Sequence, residues 1–271
     1  MSTDEEPDRR DVLVCVKRTP AVGAQITLTD DRLAIDTHHL GFTMGPHEEC
    51  AVEEAVRIAG RRRDAGGTAR VTVLTVGPPE AAEQLRYAIS MGADDGVLVE
   101  VPTEELDPES TAASILAGIR AAEGTRYDLL LFGTDSAVAG NAQVGIRVAC
   151  ALGLPMVTGI KGIEDDATGD DPGLALRRET PGGVEIYRVP LPAAVAVKEG
   201  INLPRYPTIT GRMRARKAAL RTVAGQQSLP GGLRTVALRR PREERPETVV
   251  LGSGAAAAPA VVEMLTRIGV V

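Results

Sequence analysis

The sequence predicts an α/β fold: a mainly parallel sheet with helices on both faces and antiparallel strands at its edge. Short apolar runs bounded by polar residues alternate with segments whose apolar residues keep the period of a helix, as in successive βαβ units. The core must also be aliphatic, because the 271 residues include only two Phe and no Trp. Aliphatic side chains fit a parallel sheet better than a sandwich held by aromatic rings.

The parallel part of the sheet is predicted from the first half of the chain, with right-handed crossovers between its strands. Gly66 and Gly67 are expected to end the first helix, and Ser110 is expected to cap the third. The predicted strands cover residues 12–16, 71–76, 96–101 and 127–132, and the helices cover residues 49–63, 80–91, 110–123 and 144–151.

The antiparallel part is predicted after Pro155, where short alternating segments are separated by Gly/Asp turns. These segments cover residues 157–163, 174–179 and 183–189, and one more apolar strand is predicted at residues 192–197. Earlier in the chain, apolar residues on both sides of Asp30 and Asp31 indicate a small hairpin of residues 26–28 and 33–35. Residues 198–220 are expected to be irregular.

Three regions are predicted along the chain. Residues 1–10 are expected to be a disordered leader, and residues 11–225 to form the α/β domain. Residues 226–271 are expected to be a poorly packing linker followed by a helical arm, residues 258–268, that docks on another chain. The apolar face of that helix consists of Val261, Val262, Leu265 and Ile268.

Composition excludes several classes of function. The net charge is −6, so there is no basic excess of the kind that nucleic acid requires. No apolar run reaches the roughly 18 residues of a membrane helix, and the polar N-terminus is unlike a signal peptide. We therefore expect a cytoplasmic protein. Cys15, Cys50 and Cys150 have no metal-ligand spacing and are expected to be buried, inert thiols.

No catalytic or metal-binding constellation is found. His38, His39 and His47 lack the spacing of metal ligands, and surface or turn roles are expected for them. Three glutamates at the start of the first helix are expected to stabilise its positive end without any further function. They are Glu49, Glu53 and Glu54.

The stretch from Tyr127 to Ala151 is the strongest candidate for a binding site. An apolar strand is followed by a loop of Gly, Ala, Ser and Asn, and then by the start of a helix. Small residues let the backbone approach a ligand closely, and the N–H groups at a helix start can hold a phosphate. The same pattern also fits an ordinary strand-to-helix turn.

A basic run lies in the segment after residue 207, at Arg212, Arg214, Arg216 and Lys217. No aromatic residues interleave this run, so a solvated loop that meets an acidic protein surface is the better interpretation. Ile209 stands between polar neighbours just before it. We expect it to be an exposed anchor for a partner protein.

With these segments aligned, the chain resembles the β subunits of the electron transfer flavoprotein family from residue 12 to about residue 220, and the last helix fits too. The resemblance is carried by several motifs in the right order. They are VLVCVKR (12–18), MGPHEECAVEEAVRIA (44–59), VTVLTVGP (71–78), LRYAISMGADDGVLVEVP (85–102), RRETPGGVEIYRVPLPAAVAV (177–197) and INLPRYPTITGRMRARK (201–217).

The resemblance implies an adenine-nucleotide-hydrolase-like domain in a heterodimer with an α subunit, which holds most of a redox FAD. The β subunit itself would bind AMP in a structural role. The complex would accept electrons from flavin-dependent dehydrogenases and pass them toward a quinone oxidoreductase, so the chain would be an electron carrier and not an enzyme. By position, the nucleotide contacts would be Cys15, Gly45, Pro46, His47, Glu48, Val76, Gly133, Ala137, Val138, Ala139, Gly140, Asn141, Ala142, Gln143 and Val144.

The resemblance also implies that residues 208–217 form a recognition loop that docks on the dehydrogenases. Its anchor would be Ile209, at the place of the family's Leu. The final helix would be the arm that reaches across to the α subunit.

The chain departs from the family pattern at the nucleotide site. Gly45 replaces an Asn, and His47 replaces an aromatic residue that lies near the flavin in relatives. The family loop AIDDDxNQTG reads AVAGNAQVG here, so that Val138, Ala139 and Gly140 replace three acids. A related branch with AQVG at this point binds a second FAD in place of AMP and bifurcates electrons, which is one alternative. A stand-alone nucleotide-binding regulatory protein is another, although it would not need the linker and arm.

Overall fold

The computed structural model describes residues 9–21, 23, 25–102, 106–121, 126–166, 173–225, 232–240 and 248–271. The strands found in these residues are β1 (Arg9–Cys15), β2 (Arg18–Pro20), β3 (Phe42–Met44), β4 (Thr68–Gly77), β5 (Asp95–Glu100), β6 (Leu129–Gly133), β7 (Met156–Asp166), β8 (Gly173–Thr180), β9 (Gly183–Pro190), β10 (Ala193–Val197) and β11 (Arg221–Ala224). The helices are α1 (Pro46–Asp64), α2 (Ala82–Met91), α3 (Pro108–Arg120), α4 (Val144–Leu152), α5 (Ile209–Lys217) and α6 (Ala258–Arg267).

One sheet carries the fold, with the strand order β11-β5-β4-β1-β6-β10-β7-β8-β9. The pairs from β11 to β7 are parallel, whereas β8 runs antiparallel to both β7 and β9. In register, Val12 of β1 lies between Val71 of β4 and Leu129 of β6. The predicted mainly parallel sheet with antiparallel edge strands is therefore confirmed.

The central strands are buried on both faces, which explains why they read as continuous apolar runs. Val12 and Val14 of β1 belong to the cluster that packs against α1 and α2. Leu13 and Cys15, which alternate with them, belong to the cluster that packs against α3 and α4. Successive strand residues point to opposite faces, so the sheet is covered by helices on both sides.

Two predicted helix starts are displaced. Helix α1 begins at Pro46, earlier than predicted, because proline is well suited to the first turn of a helix. Helix α3 is capped by Asp107 and not by Ser110: the Asp107 carboxylate accepts hydrogen bonds from the backbone N–H groups of Glu109 (2.8 Å) and Ser110 (3.2 Å). Ser110 lies inside the first turn, where its hydroxyl donates to the same carboxylate.

The prediction that residues 198–220 are irregular is wrong in its second half. Thr208 caps helix α5, accepting a hydrogen bond of 3.0 Å from the N–H of Gly211. Strand β11 follows and pairs with β5 in parallel. The helix was missed because Ala215 is its one buried residue, so that no apolar periodicity marks it.

Smaller corrections concern the start of the chain, the hairpin and one cysteine. Arg9 and Arg10 belong to β1, and the rest of the predicted leader lies outside the described residues. The predicted hairpin is reduced to one antiparallel bridge, Leu28 to Ile35. Cys150 is exposed and not buried, because it lies on the outer side of α4, whereas the other two cysteines are buried as predicted.

The chain divides into two units, residues 1–236 and residues 237–271. The second unit contains α6, whose side chains Val261, Val262 and Met264 are exposed, as is that of the following residue Ile268. The predicted boundary after residue 225 precedes this division, and residues 226–231 and 241–247 of the predicted linker lie outside the described residues. Docking of the arm on another chain stays a prediction. In the described part of the chain, no helix has both the length and the apolar character needed to cross a membrane.

Candidate functional site

A deep cleft lies at the carboxyl ends of the parallel strands, between the ends of β1 and β6. From β1 the chain adds β4 and β5 on one side and then returns to add β6 and β10 on the other. Open α/β sheets bind their ligands at such a switch point. The cleft encloses about 1010 Å³, including the space that is open to solvent.

The walls of the cleft differ in polarity. The side formed by β4, the end of β5 and the start of α3 is mainly apolar, with Leu74, Val76, Val101, Leu106, Pro108 and Ile115. The ends of β1 and β6, the following loop and the first turn of α1 contribute the polar residues of the cleft beside apolar ones such as Phe132. The polar residues are Lys17, Glu48, Thr134, Asp135, Ser136, Asn141 and Gln143. An apolar slot beside a polar end suits a flat ring joined to a charged or hydroxylated group.

The loop between β6 and α4 is shaped by its own hydrogen bonds. Thr134 donates to the carbonyl of Val197 through its N–H (3.0 Å) and its hydroxyl (2.9 Å), which ties the loop to the end of β10. Ser136 accepts from the N–H of Gly140 at 2.9 Å through its carbonyl. Ala142 has a φ of +51°, a conformation that costs a non-glycine residue free energy and is often found at functional sites.

Helix α4 begins directly after this loop. Its cap, Gln143, makes no capping hydrogen bond through its side chain, and its first turn contains no acidic residue. The N–H groups of the first turn therefore lack a side-chain acceptor from the cap. Since the N-terminus of a helix carries a partial positive charge, this end of the cleft favours an anion.

Glu48, in the first turn of α1, is a buried carboxyl group in the wall of the cleft. Its residue is 5% exposed, and its Oε2 has no hydrogen-bond partner. Burial raises the pKa of Glu48 to about 7, although its own backbone N–H and the charge of Lys17 act in the opposite direction. The carboxyl is therefore in an environment that disfavours its charge.

Cys15 also lines the cleft, and His47 lies beside it at the start of α1. The Nδ1 atom of His47 lies 2.9 Å from Oδ1 of Asp135, so a protonated imidazole would form an ion pair there. Burial raises the pKa of the Cys15 thiol far above its ordinary value, so this group is a neutral thiol. In the described residues, no cluster of three or more potential metal ligands is found.

The structure brings part of the predicted site together. The predicted residues that line the cleft are Cys15, Glu48, Val76, Gly133, Ala139, Asn141, Ala142, Gln143 and Val144. Gly45, Pro46 and His47 lie at the start of α1 beside the cleft. Ala137, Val138 and Gly140 belong to the loop but do not line the cleft. Contact of any of them with a nucleotide stays a prediction.

Two groups stand out among the lining residues that sequence reasoning missed. Lys17 directly follows β1, and a lysine after a buried strand could have signalled an anion site. The start of α3 contributes Leu106, Pro108 and Thr111, which could have been found from the Asp-Pro pair that marks a helix start. Both groups lie at the ends of strands or helices, and the fold brings these ends together at the carboxyl ends of the parallel strands.

The predicted partner-docking segment forms helix α5, which packs on α2. Ile209 at its start is 80% exposed. Arg214 has a structural role, because its guanidinium donates to the carbonyls of Ile89 (2.7 Å) and Ala93 (3.2 Å). Arg212, Arg216 and Lys217 are exposed, and the Arg212 guanidinium lies 5.3 Å from the centre of the Tyr206 ring.

The segment before α5 is held to α1 by two buried glutamates. Glu53 accepts hydrogen bonds from Nε of Arg205 at 2.7 Å and from Nε of Arg57 at 2.6 Å. Glu54 accepts one of 3.0 Å from the side chain of Asn202. The expectation that these glutamates serve only the positive end of the helix is wrong, because α1 starts earlier and they bind a second segment.

An exposed apolar surface results from this anchoring. It consists of Leu203, Tyr206, Ile209 and Met213, which are 56–84% exposed. Large apolar side chains that are exposed together are typical of a protein contact surface. The surface lies on and just before α5, apart from the residues that line the cleft.

A sheet of this topology defines an α/β protein with a ligand-sized cleft at its switch point. The model of a family described as "Electron transfer flavoprotein domain" matches residues 32–228. The chain is 35% identical to the "Electron transfer flavoprotein subunit beta" of Syntrophomonas wolfei, over 79% of each chain. It is also similar to the proteins of that name from Homo sapiens (34% identity, 78% of this chain and 80% of the relative) and Bacillus subtilis (31%, 71% and 73%). The chain belongs to the electron transfer flavoprotein family.

Proposed function

We propose that the chain is the β subunit of a heterodimeric electron transfer flavoprotein and works as an electron carrier together with an α subunit. Its membership of the family and its similarity to proteins named subunit beta support this assignment. The free thiols in the described residues fit a reducing compartment, so we place the complex in the cytoplasm.

In this proposal, an FAD held mostly by the α subunit accepts electrons from flavin-dependent dehydrogenases, and the complex passes them toward a quinone oxidoreductase. The flavin supplies the redox chemistry when it is bound. The residues of this chain position the nucleotide, exclude water and provide a docking surface. No acid–base or nucleophilic side chain is needed for these tasks.

The observation that carries the proposal is the cleft between β1 and β6, which we assign to a structural AMP. Its apolar wall suits an adenine ring, and the start of α4 suits the phosphate. Both groups line the same cleft, so one nucleoside monophosphate could contact them together.

A second FAD in this cleft is the alternative, because the loop has Val138, Ala139 and Gly140 where three acids are expected. A loop with fewer carboxylates repels a diphosphate less. That arrangement would make the complex an electron-bifurcating flavoprotein.

The deciding experiment is to co-express the chain with its α subunit, denature the purified complex and count the released FAD and AMP. One FAD and one AMP per heterodimer is the expected result, whereas two FAD would support bifurcation. A chain that is purified colourless, monomeric and stable without an α subunit would contradict the proposal and favour a stand-alone regulatory protein.

A matched pair of variants tests the phosphate assignment within the same complex. Val144 lies in the first turn of α4 and lines the cleft. Val144→Asp should lower the bound AMP severalfold, because a carboxylate there repels phosphate, while the uncharged Val144→Asn of the same shape should retain more. Equal AMP content in the two variants would count against phosphate at the start of α4.

For the docking surface, we propose that Ile209 anchors the partner dehydrogenases. The exposed side chain stands on a helix whose backbone is fixed to α2, so that it is presented with little loss of conformational freedom. The exposed basic residues Arg212, Arg216 and Lys217 would steer an acidic partner toward it.

A further inference from the structure

The carboxyl group of Glu48 has the features of a ligand-binding group and lacks those of a structural one. The residue is 5% exposed, it lines the cleft, and its Oε2 has no hydrogen-bond partner. A buried polar atom without a partner costs free energy, so it is expected to acquire a partner when the ligand binds.

The surroundings of Glu48 are built around this carboxyl. A Cβ atom at Gly45 would lie 2.3 Å from Oε2 of Glu48, and a Cβ atom at Gly133 would lie 3.2 Å from its carboxyl carbon. A side chain at position 45 would have to displace the Glu48 carboxyl, because the nearest atom there is Oε2 itself. The carboxyl therefore occupies a space that two glycines, from two different segments, leave open.

We propose that Glu48 is a specificity-determining residue of the cleft, whose carboxyl accepts a hydrogen bond from a donor group of the bound adenine nucleotide. This inference rests on the proposed function, since it assumes that an adenine nucleotide occupies the cleft. The donor is either a ribose hydroxyl or the adenine amino group, and both are absent from the phosphate end of the ligand.

The charges that face Glu48 agree with this role. Lys17 attracts the carboxylate, whereas Asp135 and Glu49 repel it, and burial disfavours its charged form. A phosphate beside Glu48 would add a further repulsion, so this carboxyl faces the nucleoside part of the ligand. A hydroxyl or amino donor satisfies the buried acceptor without adding negative charge.

A site with a buried acceptor discriminates strongly against ligands that lack the matching donor, because the acceptor is then left unpaired. We expect the complex to bind AMP about tenfold or more tightly than the one analogue that lacks the relevant donor. Analogues that lack a different group should bind with little change.

The test measures the competition of analogues with labelled AMP in the co-expressed heterodimer. The probes are AMP, 2′-deoxy-AMP, 3′-deoxy-AMP and purine riboside 5′-monophosphate, which lacks the amino group. Discrimination against a deoxy analogue identifies the ribose as the source of the donor, and discrimination against the purine riboside identifies the adenine ring.

Three variants show whether Glu48 causes the discrimination. Glu48→Met keeps the length of the side chain without an acceptor and should reduce the preference for AMP to near unity. Glu48→Gln retains an acceptor oxygen and should keep part of the preference for AMP. Glu49→Met, which changes a carboxyl in the same helical turn outside the cleft, should leave the preference unchanged.

The possible failures are distinguishable. If AMP is bound but Glu48→Met has the same preferences as the wild type, the inference is overturned and the proposed function stands. If the wild-type heterodimer contains no adenine nucleotide beyond the FAD of the α subunit, the nucleotide assignment of the cleft fails and the inference fails with it.

Discussion

Glu48 and Glu53 lie on the same helix and are both buried, at 5% and 2% exposure, yet their environments are opposite. Glu53 receives hydrogen bonds from the guanidinium groups of Arg57 and Arg205, whereas Oε2 of Glu48 receives none. Burial acts to raise the pKa of both. At Glu53 the hydrogen bonds from the arginines outweigh it and hold the pKa below the ordinary value, but at Glu48 the pKa rises to about 7.

The comparison separates a buried carboxylate whose charge is compensated by the fold from one whose charge is not. Glu53 stabilises the fold because its charge is compensated by the segment that precedes α5. Glu48 costs stability in the absence of a ligand, and its uncompensated acceptor faces the cleft. The predictions below test this difference, from the largest expected effect to the smallest.

Replacing Glu53 should cause the largest loss of stability. Glu53→Ala leaves two arginines without their buried partner, and we expect it to lower the free energy of unfolding by about 3 kcal/mol. The partly exposed guanidinium groups can be hydrated, which limits the loss. Urea unfolding at pH 7 measures it, with Glu49→Ala as the control. A loss equal to that of the control would contradict a structural role for Glu53.

The contribution of Glu53 to the free energy of unfolding should also depend on pH in a defined direction. Since the folded pKa of Glu53 is lowered, its contribution is fully present above the ordinary carboxyl pKa and is lost as the pH falls through the folded value. The difference in the free energy of unfolding between the wild type and Glu53→Ala should therefore become smaller at acidic pH.

Replacing Glu48 should raise the free energy of unfolding, whereas replacing Glu53 lowers it. The folded pKa of about 7 exceeds the ordinary value of 4.5, so the free energy of unfolding falls as the pH rises through this interval. Above pH 7, Glu48→Gln should stabilise the nucleotide-free chain by about 2 kcal/mol, because no charge is then buried. Unfolding curves between pH 4.5 and 8 measure the gain. If the gain in the free energy of unfolding of Glu48→Gln over the wild type did not grow with pH, ionisation of Glu48 would not destabilise the fold.

A smaller effect should appear at Gly45. Gly45→Ala places a Cβ against Oε2 of Glu48 and should lower the free energy of unfolding by about 1 kcal/mol, but much less in a Glu48→Ala background. A double-mutant cycle measures this coupling. The control is Gly60→Ala, where a Cβ on the same helix meets no atom within 4 Å and should be stabilising. If the losses of the two single variants simply added in the double variant, the Cβ at position 45 would not act through the Glu48 carboxyl.

The sequence predicted the parallel sheet well, since burial on both faces forces continuous apolar runs such as Leu129–Gly133. It predicted α5 poorly. That helix is held by polar contacts with α2, in which Arg86 donates to the carbonyl of Ala215 at 2.7 Å and Arg214 donates to that of Ile89. Hydrogen bonds between distant segments leave no periodic signal in the sequence.

The sequence by itself determined the fold class, the family and the loop that leads into α4, because apolar periodicity and short motifs are local properties of the chain. Only the tertiary structure decided which carboxylates are compensated. Glu53 meets Arg205, which is 152 residues away in the chain, whereas Glu48 lies between Gly45 and Gly133 with no partner for Oε2. The charge state and role of a buried group depend on what folding brings to it, and a linear pattern does not contain that information.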